Sequence, residues 1–420
     1  MSAFQAPTGT RDVLPPESAR FAAVVARFAG LARTAGYGLL VSPMFEDSQV
    51  FRRGAGASTD IVQKEMYEFE DKGGRTLALR PEGTASVVRA FIQHHPHVPW
   101  KVWYATPAFR YERPQAGRYR QHHQLGVEAI GSADADLDVE VISLGADFLA
   151  ALGLTGVHLR VNSMGDDACL PGYRALLADF LGAVETELCD EHARRWKANP
   201  LRVLDCKDPA CVALHAAAPR LGDALCEACR AHLDRVTAGL DAVGIEWSRD
   251  EFLVRGFDYY TRTTFEFVAP ALSAAQDVVL GGGRYDKLVA ALGGEPTPGI
   301  GFGCGIERVL LARDAEGAPG ADGGAVDVFV VDLVGGTAAR DLAARLRRSG
   351  VATDRAFDNR SMKSQLRQAD RSHARLAVIV GAEEEAAGTV TVRVLRGEGA
   401  GSQESVAAAA LEGAIGRWIG

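Results

Sequence analysis

Phe21, Val24, Val25, Phe28, Leu31 and Ala32 recur at helical spacing and predict a helix from Glu17 to about Ala35, stopped by Gly36. The segment GTRDVLPPE ahead of it reads as extended chain, and YGLLVSPMFED after it reads as a strand ended by Pro43. Residues 61–69 and 75–80 predict a hairpin across Asp71–Gly74. A helix from Ala85 follows, with Val87, Val88, Phe91 and Ile92 on one face, Thr84 as its N-cap and Glu82 at the mouth of the turn. Trp100–Ala108 reads as a strand delivering the chain into Phe109–Gly131, where Pro114 and Gly117 mark a reversal between two antiparallel strands. Alternation on the return strand sets Gln124, Gly126 and Glu128 on one face and Leu125, Val127 and Ala129 on the other. A helix over Asp136–Leu152 and a strand over Val157–Asn162 complete this half.

The texture then changes. Residues 165–245 read as helical, rich in Ala and Leu, before strand character returns at Phe252–Asp258 and Thr263–Val268; this predicts an inserted helical domain. Gly281, Gly282 and Gly283, and then Gly299, Gly301, Gly303 and Gly305, let a strand backbone come close to a ligand or another chain. The helix Ile306–Ala312 carries Arg308 in its first turn, where a helix end favours anions. Residues 314–325 have linker composition. Beyond them, a strand at 326–333, helix 337–349, strand 351–356, helix 361–371, strand 376–381, a strand pair at 389–396 and a helix at 404–418 predict a separate α/β domain.

A net charge of −8 speaks against non-specific nucleic-acid binding by the whole surface. Between Arg340 and Arg375, however, ten Lys and Arg face four Asp, a local net of +6, so the remainder carries −14. No apolar run approaches a membrane span and the N-terminus lacks a signal pattern, so no membrane association and a cytoplasmic location are expected. Seven cysteines, an odd number, favour free thiols or metal ligands over a disulfide frame. Cys189-x2-His192, Cys206-x4-Cys211 and Cys226-x2-Cys229 have spacings open to a structural zinc, although these helices could also pack without metal; no catalytic metal site is assigned.

The central hairpin offers Arg110, Arg113, Arg118 and Arg120 beside Gln124 and Glu128. Guanidinium forks suit phosphate, and the amide and carboxylate suit a small amphoteric ligand. Three segments then occur in order: the long helix, strand and proline of Glu17–Pro43, the FRYER hairpin from Phe109, and the glycine-rich strand and helix ending in Arg308. In this the chain resembles the class II aminoacyl-tRNA synthetases. Arg255-Gly256-Phe257-Asp258-Tyr259-Tyr260 and Gly282-Gly283-Arg284-Tyr285-Asp286 are similar to the two signatures of the histidyl-tRNA synthetase family, and the resemblance spans essentially the full length.

That resemblance implies an α+β catalytic domain on a class II antiparallel sheet over residues 1–325, including a helical insertion at about 165–245 and the linker 314–325. It implies a C-terminal α/β anticodon-binding domain over 326–420. It implies ATP-dependent ligation of L-histidine to tRNA(His) through histidyl-adenylate, with ATP and Mg²⁺, by a homodimer formed through Glu17–Pro43. Glu82, Gly83, Thr84, Arg110, Gln124, Glu128, Arg255, Tyr259 and Tyr260 would surround histidine and its adenylate, with Glu128 and one of the two tyrosines on the imidazole. Arg110 and Arg255 would be the catalytic cations at the α-phosphate. Arg118 and Arg308 would hold the distal phosphates and His122 would face adenine. His122 stands where many members have Phe, Lys287 stands where Gly is commoner, and GEGAGSQES lengthens a C-terminal loop. The competing readings are a histidine-binding regulatory subunit of ATP phosphoribosyltransferase, which erodes the ATP-binding arginines kept here, and a pure RNA-binding module.

Overall fold

The computed structural model describes residues 4–56, 59–254, 256–273, 277–318, 326–335, 337–358 and 360–419. The chain divides into two compact units, Met1–Val13 with Phe21–Ala321 and Leu14–Arg20 with Asp322–Gly420. In chain order the first contains strands β1 (Gly38–Leu39), β2 (Phe45–Asp47), β3 (Glu68–Glu70), β4 (Thr76–Leu79), β5 (Trp100–Phe109), β6 (Gln121–Ile130), β7 (His158–Ser163), β8 (Trp247–Arg249), β9 (Thr261–Val268), β10 (Val278–Arg284) and β11 (Gly299–Gly305). Eight of them form one sheet in the order β1-β5-β6-β11-β10-β9-β7-β8, antiparallel except at its two edge pairs. A small sheet β2-β4-β3 stands beside it.

The alternation along β6 has its expected effect. Leu125, Val127 and Ala129 are wholly buried on the face covered by the helices Glu17–Thr34 and Ala135–Ala151. Phe28 centres that layer, its ring edge-on to Phe148 at 4.9 Å, Trp103 at 5.9 Å and Phe302 at 6.1 Å. Asp134, which caps the second helix by accepting the Asp136 N–H at 3.1 Å, fixes where it starts. The segment between β7 and β8 is helical, with the helices Leu170–Ala183 and Glu227–Ala242 flanking several shorter turns.

Four local expectations change. The strand before Pro43 is reduced to β1, and pairing resumes beyond the proline as β2, because the buried Arg80 guanidinium donates to Ser42 O, Pro43 O and Pro107 O and bends the chain around itself. Ile61–Glu65 is a helical turn rather than strand, started by the Gln63 N–H donating to Thr59 O; a short apolar run fits either form. Phe252–Asp258 contains no strand among its described residues, since Asp250 accepts the Phe252 N–H at 3.1 Å and turns the chain. In the second unit, the predicted helix 404–418 begins instead as a strand.

That second unit carries β12 (Val328–Asp332), β13 (Thr353–Arg355), β14 (Leu376–Val380), β15 (Thr389–Val394) and β16 (Gln403–Ala407), ordered β13-β12-β14-β15-β16. β16 pairs with β15 from Arg393↔Gln403 to Thr389↔Ala407, so Gln403–Ala407 is strand and the alanine run turns helical only from Ala408. Beyond β16 the chain forms a 3-10 turn at Ala408–Ala410 and short α-helices at Leu411–Ala414 and Gly416–Ile419. The helices Thr337–Arg348 and Met362–Arg371 cover the sheet over separate apolar cores.

Candidate active site

A cavity of about 500 Å³ opens on the polar face of the large sheet. It gathers Glu82, Thr84, Arg110, Arg118, His122, Gln124, Tyr259, Tyr260 and Arg308, residues drawn from more than two hundred positions of sequence. Arg255 lies outside the described residues; its neighbours Val254 and Gly256 line the cavity.

Glu82 is buried at the start of the helix Thr84–His94, where its carboxylate accepts the N–H groups of Thr84 (2.6 Å) and Ala85 (2.8 Å). Thr84 is therefore the first helical residue and not the cap; Gly83 holds the cap position, and the Glu82 side chain satisfies two of the open donors of the first turn. Burial pushes the Glu82 carboxyl up, and the two backbone donors oppose the shift. Each oxygen keeps a lone pair for a further donor. Gln124 Oε1 accepts the Gly83 N–H at 3.1 Å, so β6 and the helix start are tied together at the cavity wall.

Glu128 has no exposed surface and lies behind the wall rather than in it. Thr84 Oγ1 and Tyr285 OH each donate to it at 2.7 Å, and Tyr104 OH at 3.3 Å. Burial lifts its carboxyl to about 8 against the pull of those hydroxyls. Contact between Glu128 and a ligand thus runs through Thr84 and Tyr285, which do line the cavity. The glycines of β11 make room for these side chains: a Cβ at Gly301 would sit 1.9 Å from Glu128 Oε2, and one at Gly303 would sit 2.1 Å from Gln124 Nε2. The close approach expected of the glycine-rich strand is thus an approach to the chain's own β6.

Aromatic rings line the cavity as well. Phe257 stacks on Tyr259 at 5.0 Å, Tyr259 leans on Tyr260 at 4.6 Å, and Tyr285 meets Tyr259 edge-on at 6.0 Å. Burial holds the hydroxyls of Tyr259 and Tyr285 protonated, so both remain donors. Tyr104 and Tyr285 hold no separate role in the sequence reading; the GGRYD motif marks the second, and nothing in the pattern of β5 marks the first.

Three arginines, Arg110, Arg118 and Arg308, also line the cavity, Arg118 lying 3.6 Å from Glu112. Arg110 donates to Pro81 O at 2.9 Å, and Arg308 donates to Val278 O at 3.0 Å. Burial, then the nearby Arg118 and Arg110 guanidiniums, lower the pKa of Arg308, which marks three like charges facing one space. Burial, with Arg110 and Arg308 adding to it, holds His122 neutral, its pKa pushed down to about 3. Glu307 anchors the motif, accepting the His123 N–H and lying 2.9 Å from His123 Nδ1. In Gly282-Gly283-Arg284-Tyr285-Asp286, Arg284 is fully buried and pairs with Asp138 at 2.6 Å, so it builds the site without entering it.

An antiparallel sheet carrying an arginine-bearing hairpin and a glycine-rich strand that leads into an arginine-bearing helix is the catalytic core of a class II aminoacyl-tRNA synthetase. Comparison with known proteins agrees. The Histidyl-tRNA synthetase family model matches residues 9–166 and 175–309, and the Anticodon binding domain model matches residues 327–418. The histidine–tRNA ligases of Moorella thermoacetica and Rhodococcus erythropolis are 49% and 48% identical over 410 residues, 96% of this chain and 96% of each relative. The crystal structure of apo S. aureus histidyl-tRNA synthetase matches with a TM-score of 0.79 at 34% identity, covering 98% of this chain and 99% of that one. The chain belongs to the histidyl-tRNA synthetase family. No helix among the described residues is long and apolar enough to cross a membrane.

Proposed function

We propose that this chain is a histidine–tRNA ligase: it activates L-histidine with ATP and transfers the histidyl group to tRNA(His). The observation that carries the reading is the joining, in one cavity, of the Arg110–Arg118–Arg308 cluster to a polar recess of Glu82, Gln124, Tyr259 and Tyr260. A triphosphate suits the first and an amino acid with a polar ring suits the second.

The substrate ammonium sits against Glu82 and Gln124, near the backbone of Gly83. The imidazole is oriented by Tyr259 or Tyr260, and by Glu128 through its hydroxyl partners or in place of the Tyr285 hydroxyl. The histidine carboxylate attacks the α-phosphorus, the bond to pyrophosphate breaks, and no general base is needed because the nucleophile is already an anion. Arg110 and Arg255 stabilise the charge gathering on the α-phosphate, while Arg118 and Arg308 hold the departing pyrophosphate. Neutral His122 presents an uncharged ring to adenine, which a cation beside Arg110 would not do at this site. Mg²⁺ takes oxygen ligands, and Glu266 and Asp277 are cavity carboxylates suited to hold it, where it would offset phosphate charge.

Residues 1–325 form the catalytic domain, with the insertion at about 165–245 and the linker at 314–325, of which 319–325 lie outside the described residues. Residues 326–420 bind the anticodon. Of the ten basic residues between Arg340 and Arg375, several are engaged within the domain, as Arg345 is by Glu412 and Arg355 by Asp332. Lys363, Arg367 and Arg371 lie at four-residue spacing on the exposed face of Met362–Arg371, a stripe suited to a phosphate backbone. The chain acts as a homodimer through Glu17–Pro43, a reading supported by exposed Leu39, Val41, Met44 and Phe45 in and beyond the edge strand β1. Sedimentation yielding an active monomer would remove the dimer.

The test of function is charging: purified protein with ATP, histidine and tRNA(His) transcript should give histidyl-tRNA, resolved on an acid gel. A protein that binds histidine but neither activates nor transfers it would favour the regulatory-subunit reading instead.

A further inference from the structure

Six of the seven cysteines fall into two clusters away from the cavity floor. In the first, the ligand atoms of Cys189, His192, Cys206 and Cys211 all lie within 4.8 Å of one another. Cys189 Sγ is 3.2 Å from His192 Nδ1 and 3.9 Å from Cys206 Sγ. Tetrahedral zinc with Zn–S bonds of about 2.3 Å separates its sulfurs by roughly 3.8 Å, whereas a disulfide would need about 2.05 Å. These thiols are free and stand at zinc-ligand spacing. Backbone N–H groups already point at two of the sulfurs, Cys189 N–H at Cys211 Sγ and Asp208 N–H at Cys206 Sγ, both at 3.4 Å. Such donors steady thiolate ligands.

Buried Leu201, Val203 and Leu204 anchor this region in the core, but the elements that carry the ligands are short. Cys189 and His192 come from the start of Asp190–Arg195, Cys206 follows the turn Pro200–Asp205, and Cys211 lies in Pro209–Leu214, each six residues long. Helices of that length are not stable alone. We propose that Cys189, His192, Cys206 and Cys211 bind a structural Zn²⁺ that fixes the segment 199–207 against Gly256–Asp258, the loop that the function proposed above places beside histidine. Arg202 Nη2, inside that segment, donates to Gly256 O at 2.7 Å and lies 3.6 Å from Asp258 Oδ1. Asn199 donates to Asp258 at 3.3 Å. Asp205 and Lys207, the neighbours of Cys206, line the cavity itself. The metal acts on the site by position: four protein ligands close its shell and leave no place for substrate.

Independent contacts carry a second centre. The ligand atoms of Asp166, Cys169, Cys226 and Cys229 also lie within 4.8 Å of one another. Asp166 Oδ1 is 3.6 Å from Cys169 Sγ and 3.7 Å from Cys226 Sγ, and the Asp166 N–H donates to Cys169 Sγ at 3.3 Å. Asp166-x2-Cys169 leads into the first long helix of the insertion and Cys226-x2-Cys229 opens the last, so Zn²⁺ here clamps the insertion at its stem. One oxygen and three sulfurs in a closed set again suit zinc.

Metal content of the full chain, purified from zinc-supplemented medium, tests both centres, and binding is read apart from activity. Native mass spectrometry of the wild type should show about two zinc ions per chain, and Co²⁺ exchanged into it should give thiolate-to-cobalt absorption. Cys206→Ser should lose about one equivalent and raise the KM for histidine in ATP–pyrophosphate exchange roughly tenfold or more, with kcat less affected. Cys226→Ser should lose the other equivalent. Zinc unchanged in Cys206→Ser overturns the first centre, and zinc unchanged in Cys226→Ser overturns the second. A zinc-free wild type with no cobalt band overturns both, and this arm needs no variant to fold.

Discussion

Glu128 is a carboxyl without exposed surface, bonded to three hydroxyls. Its pKa, lifted by burial to about 8, means that the folded protein keeps a proton which the unfolded chain releases near the ordinary value of 4.5. A raised folded-state pKa makes its contribution to stability complete below the unfolded value and lost as pH rises through the folded one. Glu128→Gln removes that dependence while keeping an acceptor oxygen for one of Thr84 and Tyr285, which bond opposite carboxyl oxygens. The melting-temperature advantage of wild type over this variant should therefore shrink between about pH 5 and about pH 9. A difference that stays constant with pH would show that Glu128 titrates normally. At this scale the sequence was partly legible: alternation alone places Gln124 and Glu128 on one face, and the arginine forks announce phosphate. The Tyr104 hydroxyl was not legible, because it meets Glu128 only once β5 and β6 pair; the Glu82 cap was not, because a longer side chain one position ahead of the usual cap supplies it.

Among the elements, the glycine-rich strand β11 decides whether the site exists at all. Gly301 faces Glu128 and the Val127 carbonyl at distances no Cβ can share, 1.9 Å and 2.3 Å. Gly301→Ala must push β11 from β6 or expel the Glu128 carboxyl, at a cost of roughly 2–3 kcal/mol. Chemical denaturation should show that loss, together with weakened histidine binding by calorimetry; wild-type values for both would mean that the strand pair yields without consequence. The long helices and the central hairpin were readable from periodicity because their apolar faces are continuous. The errors fall where local pattern competes with pairing or turn chemistry: Asp250 converts an apolar run into a turn, and β15 draws Gln403–Ala407 into strand. Arg284 lies inside the GGRYD signature and is the buried partner of Asp138, a structural role that burial alone reveals.

Taken as a whole molecule, the chain unites an acidic catalytic unit with a domain holding a +6 stretch, so removing the second should separate activation from charging. The cut belongs after Ala318. Glu316 closes the helix Ile306–Glu316, accepting the N–H groups of Thr155 and Gly156, and an earlier stop would break that anchor. The truncated protein should still activate histidine, yet charge tRNA far less efficiently and with a flatter dependence on salt. Charging equal to the full chain would dissociate residues 326–420 from tRNA. The central claim, that the cavity selects histidine and activates it with ATP, is tested most directly by ATP–pyrophosphate exchange with each proteinogenic amino acid in turn. Exchange above background with histidine alone is the predicted result; exchange driven by another amino acid, or by none, would contradict it.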